Sequence, residues 1–267
     1  MRETEQRTKV YIVGTGPGDP ELLTVRADSA IRNADVILYD CKTVEPALLV
    51  ASASATIIAV ERSQYENGEG CREETPMIRA IRDHYLEGLK VVRLKAGDPT
   101  LFGGEVDECD VLDRIGIPYA IVPGVSAGAA AASAYAMPIS RKFESDALVN
   151  IIASEVTDEL ESLLGNGAKM LGHGATMVLY MATANLPVIL GIFTDAEVPE
   201  ETPVVVVSKA GWPDEAFVET TFRELGSEGF SLGISEPVVY TIGRYVRVRK
   251  TPSGSRKSCV LFSKCAQ

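Results

Sequence analysis

After a charged start, the chain runs through the apolar, β-rich segment Lys9–Gly14 and breaks into the turn Thr15-Gly-Pro-Gly-Asp-Pro20. A short apolar run bounded by glycine and proline reads as a buried strand. The same pattern returns at Asp35–Asp40, Ala55–Val60, Val91–Lys95 and Tyr119–Val122. Between these runs the spacing of apolar positions lengthens to that of helices. Leu23, Ala27, Ala30 and Ile31 share one side of a helix over Leu22–Asn33. Met77, Ile78, Ile81 and Tyr85 do the same over Thr75–Glu87, which Gly88 closes. A further helix covers Glu105–Ile115 and stops at Gly116. Strand and helix in alternation predict an α/β domain with a mostly parallel sheet covered on both faces.

The pattern changes after Pro123-Gly124. Ser126 is placed to cap an alanine-rich helix over Ala127–Ala136, whose small side chains allow close packing. Leu148–Ala153 is apolar, and the glycine-rich Gly165–Gly174 reads as a loop before the strand Thr176–Met181. A helix follows at Leu186–Phe193, then strand signals at Pro203–Lys209, Ala216–Thr221 and Pro237–Ile242. Trp212-Pro-Asp-Glu215 between two of them predicts a hairpin. This half therefore reads as a second α/β domain with a mixed sheet. The expected domains are 1–123 and 124–247, followed by a basic, flexible tail at 248–267.

Composition narrows the class. A chain of 267 residues with 46% hydrophobic residues can bury two modest cores. No apolar run approaches the roughly 18 residues of a membrane span, and Met1–Thr8 lacks the apolar centre of a signal peptide. The expectation is a cytoplasmic protein with no membrane partner. The formal charge of −11 argues against nucleic acid as a partner, which needs a basic surface. It does not exclude an anionic small molecule held by a local basic pocket. Cys41, Cys71, Cys109, Cys259 and Cys265 show no pairing rhythm, and His84 and His173 lie far from any cysteine pair. Reduced thiols and no metal site are expected.

Two strand ends carry the candidate chemistry. In the first, Gly14, Gly16 and Gly18 allow close approach of backbone to a ligand. A dinucleotide fingerprint would need glycine where Asp19 stands, so a pyrophosphate cradle is disfavoured. The second strand end, Ala96-Gly-Asp-Pro-Thr-Leu-Phe-Gly-Gly104, again places an acid among small residues. Asp98 could bind ribose hydroxyls or a cationic group, or cap the next helix. Two such loops suggest one ligand gripped from two sides.

Gly14–Pro20, Leu38-Tyr-Asp40, Arg93–Gly103 and Pro123-Gly-Val-Ser-Ala127 occur in that order. The set resembles the tetrapyrrole methylase family and extends from about Lys9 to Val246. The resemblance implies two α/β domains, a homodimer, and S-adenosylmethionine (SAM) in the interdomain cleft, with S-adenosylhomocysteine as product. It implies methyl transfer to a tetrapyrrole in porphyrin or cobalamin biosynthesis. Carried over motif by motif, it assigns cofactor contacts to Pro17, Ala96, Gly97, Asp98, Leu101, Ser126, Ala127, Met181 and Ala210. Asp40 matches the acid that serves as base in the uroporphyrinogen branch.

The chain departs from that branch in several places. Asp40-Cys41 stands where the branch has Asp-Arg, and Val60-Glu61-Arg62 replaces Gly-Lys-Arg. An arginine is absent between Gly103 and Gly104, and Ser140-Arg141-Lys142 replaces a His-Arg pair. Basic residues at such positions would meet substrate carboxylates. Arg62, Arg141 and Lys142 are the candidates that remain. Lys209–Glu215 resembles a stretch of the precorrin-4 branch, whereas the Arg93–Gly103 loop and Ala134-Tyr-Ala-Met-Pro138 are more similar to the uroporphyrinogen branch. Two other readings stand beside the main one: a same-fold methyltransferase with a non-tetrapyrrole acceptor such as a peptide, and a SAM-binding module without turnover.

Overall fold

The computed structural model describes residues 10–61, 75–101, 108–227, 233, 235–250 and 256–257. The chain divides after Ser126 into two compact units. Among the described residues no helix is long and apolar enough to cross a membrane.

The first unit is a five-stranded parallel sheet. Its strands are β1 (Val10–Gly14), β2 (Val36–Tyr39), β3 (Thr56–Ala59), β4 (Val91–Lys95) and β5 (Tyr119–Val122), in the order β3-β2-β4-β1-β5. Side chains alternate across a strand, so each strand feeds two cores. Val10, Ile12, Val36, Leu38 and Val91 pack with Met77, Ile78 and Ile81 of α2 (Pro76–Leu86) and Val111 and Leu112 of α3 (Glu108–Arg114). Val13, Ile37, Val92 and Leu94 pack on the opposite face with Ala27 and Ile31 of α1 (Val25–Arg32). Thr24 and Thr75 cap α1 and α2 by accepting from Ala27 N and Ile78 N. Lys42–Val50 forms a 3-10 stretch that the periodicity does not announce. Pro46 inside it is incompatible with a continued α-helix.

The second unit holds α4 (Ala127–Ala134) and a mixed sheet in the order β11-β9-β8-β10-β7-β6. These strands are β6 (Leu148–Ile152), β7 (Thr176–Tyr180), β8 (Pro203–Ser208), β9 (Ala216–Thr221), β10 (Val238–Ile242) and β11 (Arg256–Lys257). β6 and β7 are parallel, whereas β10 runs antiparallel between β7 and β8, and β8–β9 is the hairpin expected around Trp212. β11, in the C-terminal tail, pairs in parallel with β9. α5 (Asp158–Gly172) and α6 (Leu186–Asp195) cover one face through Leu164, Ala168, Leu171, Ile189 and Phe193. α4 covers the other with Ala131, Ala132 and Tyr135 against Val205, Val207 and Phe217. The short α7 (Phe222–Leu225) carries a full capping box between Thr221 and Glu224.

The glycine-rich Gly165–Gly174 is not a loop up to Gly172, because it forms the second half of α5. Thr157 caps that helix, and Leu160, Leu164, Ala168 and Leu171 keep the apolar stripe running through the glycines. Gly167 serves packing: a Cβ there would stand 2.6 Å from Met177 Cε. Tertiary contact overrides the local preference of glycine for turns.

Candidate functional site

β1 and β4 are neighbours, so the two glycine-rich turns leave the sheet side by side. They do not stand opposite one another as separate walls. They are bonded into one clasp: Gly16 N donates to Gly97 O (3.2 Å) and Gly97 N to Gly16 O (2.8 Å). Both residues have positive φ, 73° and 67°, which glycine adopts without penalty. Thr15 adds N and Oγ1 donors to Lys95 O at 2.9 and 3.1 Å. The Pro123-Gly124 turn after β5 closes on the same point. A Cβ on Gly124 would lie 2.1 Å from Gly97 O, and one on Gly14 2.7 Å from Gly124 N. Three chain segments therefore meet backbone to backbone.

Asp98 ties this junction together. Its Oδ1 accepts from Thr100 N (2.8 Å) and from the Thr100 hydroxyl, and its Oδ2 accepts from Gly124 N (3.0 Å). Partial burial pushes its pKa up, but the bonds from Thr100, Gly124 and Leu101 outweigh that and hold it below the ordinary aspartate value. Asp98 thus closes its own turn and bridges to Gly124, a role distinct from the helix cap that the sequence offered. Around it, Pro17 is buried, Gly97, Leu101 and Ser126 are half-buried, and Ala96 is exposed.

A second cluster lies at the carboxyl ends of β2 and β4. β2 leads on to β3 at one edge of the sheet, while β4 leads to β5 at the other. Chains that leave neighbouring strand ends in opposite directions open a crevice, the usual ligand position in such sheets. Alternation puts Val36, Leu38 and Asp40 on the face covered by α3, together with Val91, Arg93 and Lys95. Arg93 is 3% exposed. Its Nη1 and Nη2 donate to the two oxygens of Asp40 at 3.0 and 2.9 Å, a bidentate fork. Its Nε donates to Glu108 (3.2 Å to Oε1), Nη2 also reaches Glu108 Oε1 (3.0 Å), and Nη1 reaches Leu94 O (2.7 Å). Lys95 Nζ stands 3.4 Å from Glu108 Oε2. Burial opposes the charge on Arg93, but Glu108 and Asp40 outweigh it and raise the guanidinium pKa further. Lys95 and Glu108 were not among the sequence candidates. The signal was Arg93 itself, since a cation inside an apolar strand needs carboxylate partners.

In the second unit, β7 and β8 point the same way, so Met181 and Ala210 follow strand ends on one edge of the sheet. Met181 is 57% exposed with φ 53°, and Lys209, just before Ala210, has φ 51°. A left-handed conformation at a non-glycine residue costs about 1–2 kcal/mol, so both strand ends carry strain of the kind found at ligand sites. Ala210 is buried, and Ala127 is half-buried at the start of α4. The turn between β8 and β9 is closed by Trp212 N to Lys209 O (2.9 Å), by Gly211 N to Glu215 Oε2 (2.7 Å) and by the Lys209–Asp214 ion pair. Arg141 is exposed, paired with Glu144 at 3.3 Å and stacked 5.2 Å from the Tyr245 ring centroid. Lys142 is exposed beside Phe143. Arg62 lies outside the described residues. Among the described residues no His, Cys, Asp and Glu cluster of metal-binding size is present.

Residues 9–226 match the profile of the Tetrapyrrole (Corrin/Porphyrin) Methylases. The chain belongs to this family. It is 34% identical over 242 residues to the uroporphyrinogen-III C-methyltransferase of Pseudomonas aeruginosa, covering 90% of this chain and 94% of that one. Its structure resembles that of a cobalamin biosynthetic enzyme, cobalt precorrin-4 methyltransferase, with a TM-score of 0.76 at 30% identity, covering 91% of this chain and 98% of that one. It also resembles the uroporphyrin-III C-methyltransferase of Thermus thermophilus complexed with S-adenosylhomocysteine, with a TM-score of 0.70 at 25% identity, covering 89% and 98%. The parallel sheet and the mixed sheet are thus the family fold.

Proposed function

We propose that this chain is a SAM-dependent C-methyltransferase whose acceptor is a tetrapyrrole, uroporphyrinogen III or a precorrin, in cobalamin- or siroheme-type biosynthesis. The observation that carries the reading is the relative of that activity matched across 90% of this chain at 34% identity.

When bound, SAM supplies a methyl group on a sulfonium that is already electrophilic. The work left to the chain is to hold both partners in line and to keep water away. Pro17, Ala96, Gly97, Asp98, Leu101, Ser126, Ala127, Met181 and Ala210 are the proposed cofactor residues. The first-unit members fit the role because they gather at one clasp of strand ends, where Ala96 is exposed and Gly97, Asp98, Leu101 and Ser126 are half-buried. Asp98 acts there through the turn it ties, since both its oxygens already accept bonds. Asp40 is the proposed base, taking a proton from the methylated macrocycle onto a carboxylate oxygen while the Arg93 fork fixes its orientation. Arg62, Arg141 and Lys142 are proposed to meet acceptor carboxylates. The reading includes a homodimer in the cytoplasm, which sedimentation and cell fractionation check.

Incubation with methyl-labelled SAM and either uroporphyrinogen III or a precorrin, followed by mass spectrometry, tests the acceptor. Calorimetry with S-adenosylhomocysteine tests the cofactor. A folded protein that binds S-adenosylhomocysteine but methylates neither macrocycle refutes the acceptor, and one that binds nothing refutes the whole reading.

A further inference from the structure

Arg93 has five N–H donors, and every one is engaged: two by Asp40, one by Leu94 O and two by Glu108. The guanidinium is therefore pinned, and it pins Asp40. A full positive charge on both oxygens of a carboxylate stabilises the ionised form and so weakens it as a base. Glu108 grips the same guanidinium from its Nε side and offsets part of that charge. Lys95 in turn offsets Glu108. Among the described residues, two cations stand against two carboxylates, with side-chain exposures of 4% for Arg93, 18% for Asp40, 12% for Glu108 and 15% for Lys95. At such burial, solvent screens their mutual effects only weakly.

We infer that Glu108 is a positioning residue which, with Lys95 and through Arg93, sets how strong a base Asp40 is. The inference rests on the reading of Asp40 as the base. Removing the charge of Glu108 leaves the charge of Arg93 on Asp40 without that offset and makes Asp40 a weaker base. Removing the charge of Lys95 frees Glu108 to offset Arg93 more fully and makes Asp40 stronger. The two changes act in opposite directions, which a merely structural role does not produce. Among the described residues, the other titratable side chains next to the quartet in sequence are Tyr39 and Cys41 beside Asp40, and Cys109 beside Glu108. Both variants leave these in place.

The experiment is the pH profile of kcat/KM for the acceptor at saturating SAM, which reports the base of the enzyme–SAM complex before the acceptor binds. Glu108→Gln should move the acid limb down by about one pH unit, and Lys95→Met should move it up by a similar amount. Glu108→Asp, which keeps the charge, should restore the wild-type limb. Shifts in the same direction, or no shift in either variant, overturn the inference. Asp40→Asn separates the two levels. If it keeps the acid limb, the base has been misidentified. If it loses the limb while Glu108→Gln and Lys95→Met leave theirs unmoved, only the present inference fails. Should Glu108→Gln not fold, Lys95→Met and Glu108→Asp decide by the same criteria. Carboxyl carbon-13 spectra of wild type minus Asp40→Asn follow the Asp40 titration without any acceptor, and the same opposite shifts are expected there.

Discussion

Gly124→Ala probes the point where the turns after β1, β4 and β5 meet. The added methyl carbon would stand 2.1 Å from Gly97 O, 2.8 Å from Gly14 C and 2.9 Å from Gly14 Cα. Ordinary contact begins near 3.4 Å, so the carbonyl must retreat by about 1.3 Å, and every obstructing atom is backbone. Gly97 O is the acceptor for Gly16 N, and Gly124 N donates to the charged Asp98. Displacement loses the first bond, at about 1 kcal/mol. It loosens the second, which as a bond to a charged group contributes about 1.5–3 kcal/mol. Overpacking strain adds about 1–3 kcal/mol. A destabilisation of roughly 3–5 kcal/mol follows, or about 1–1.7 M in urea midpoint at a slope near 3 kcal/mol/M. Urea unfolding followed by circular dichroism measures it. Affinity for S-adenosylhomocysteine, read by calorimetry on protein that remains folded, should fall as well. Gly88→Ala is the control: a Cβ there has nothing within 4 Å, so only the left-handed strain of its own positive φ (81°), about 1 kcal/mol, applies. A Gly124→Ala variant within 1 kcal/mol of wild type, about the size of the control effect, would refute the close backbone junction.

Three other outcomes are expected. Gly165→Ala in α5 should stabilise by about 0.8–1 kcal/mol, since its nearest neighbour, Ile192 Cγ2, is 3.8 Å away. Gly167→Ala should gain less or lose, because Met177 Cε at 2.6 Å must move, and thermal melts compare the two. Thr157→Ala removes the acceptor for Leu160 N and should cost about 1 kcal/mol in the same melts. Asp98 has a lowered folded-state pKa, so its stabilisation is present above the unfolded value of 3.8 and is lost as pH falls below that. Urea midpoints between pH 2 and 5 should therefore drop more steeply for wild type than for Asp98→Asn, and parallel curves would contradict the assignment.

Much of this protein is written in local sequence. Alternation of apolar runs with helical spacing determined the two sheet types, because period 2 and period 3.6 follow from backbone geometry alone. The ordered motifs Gly14–Pro20, Leu38–Asp40, Arg93–Gly103 and Pro123–Ala127 determined the family. Tertiary structure decided what those motifs do to one another. Strand order made neighbours of β1 and β4, which turned two loops into one clasp and gave Asp98 its partners in Thr100 and Gly124. Packing on Met177 made a helix of a glycine-rich stretch whose residues locally favour turns. The same strand order brought Asp40, Arg93 and Glu108 together across 53 and 15 residues of chain. Charge and burial become one quantity only when distant segments share a crevice, and no spacing along the chain encodes that meeting.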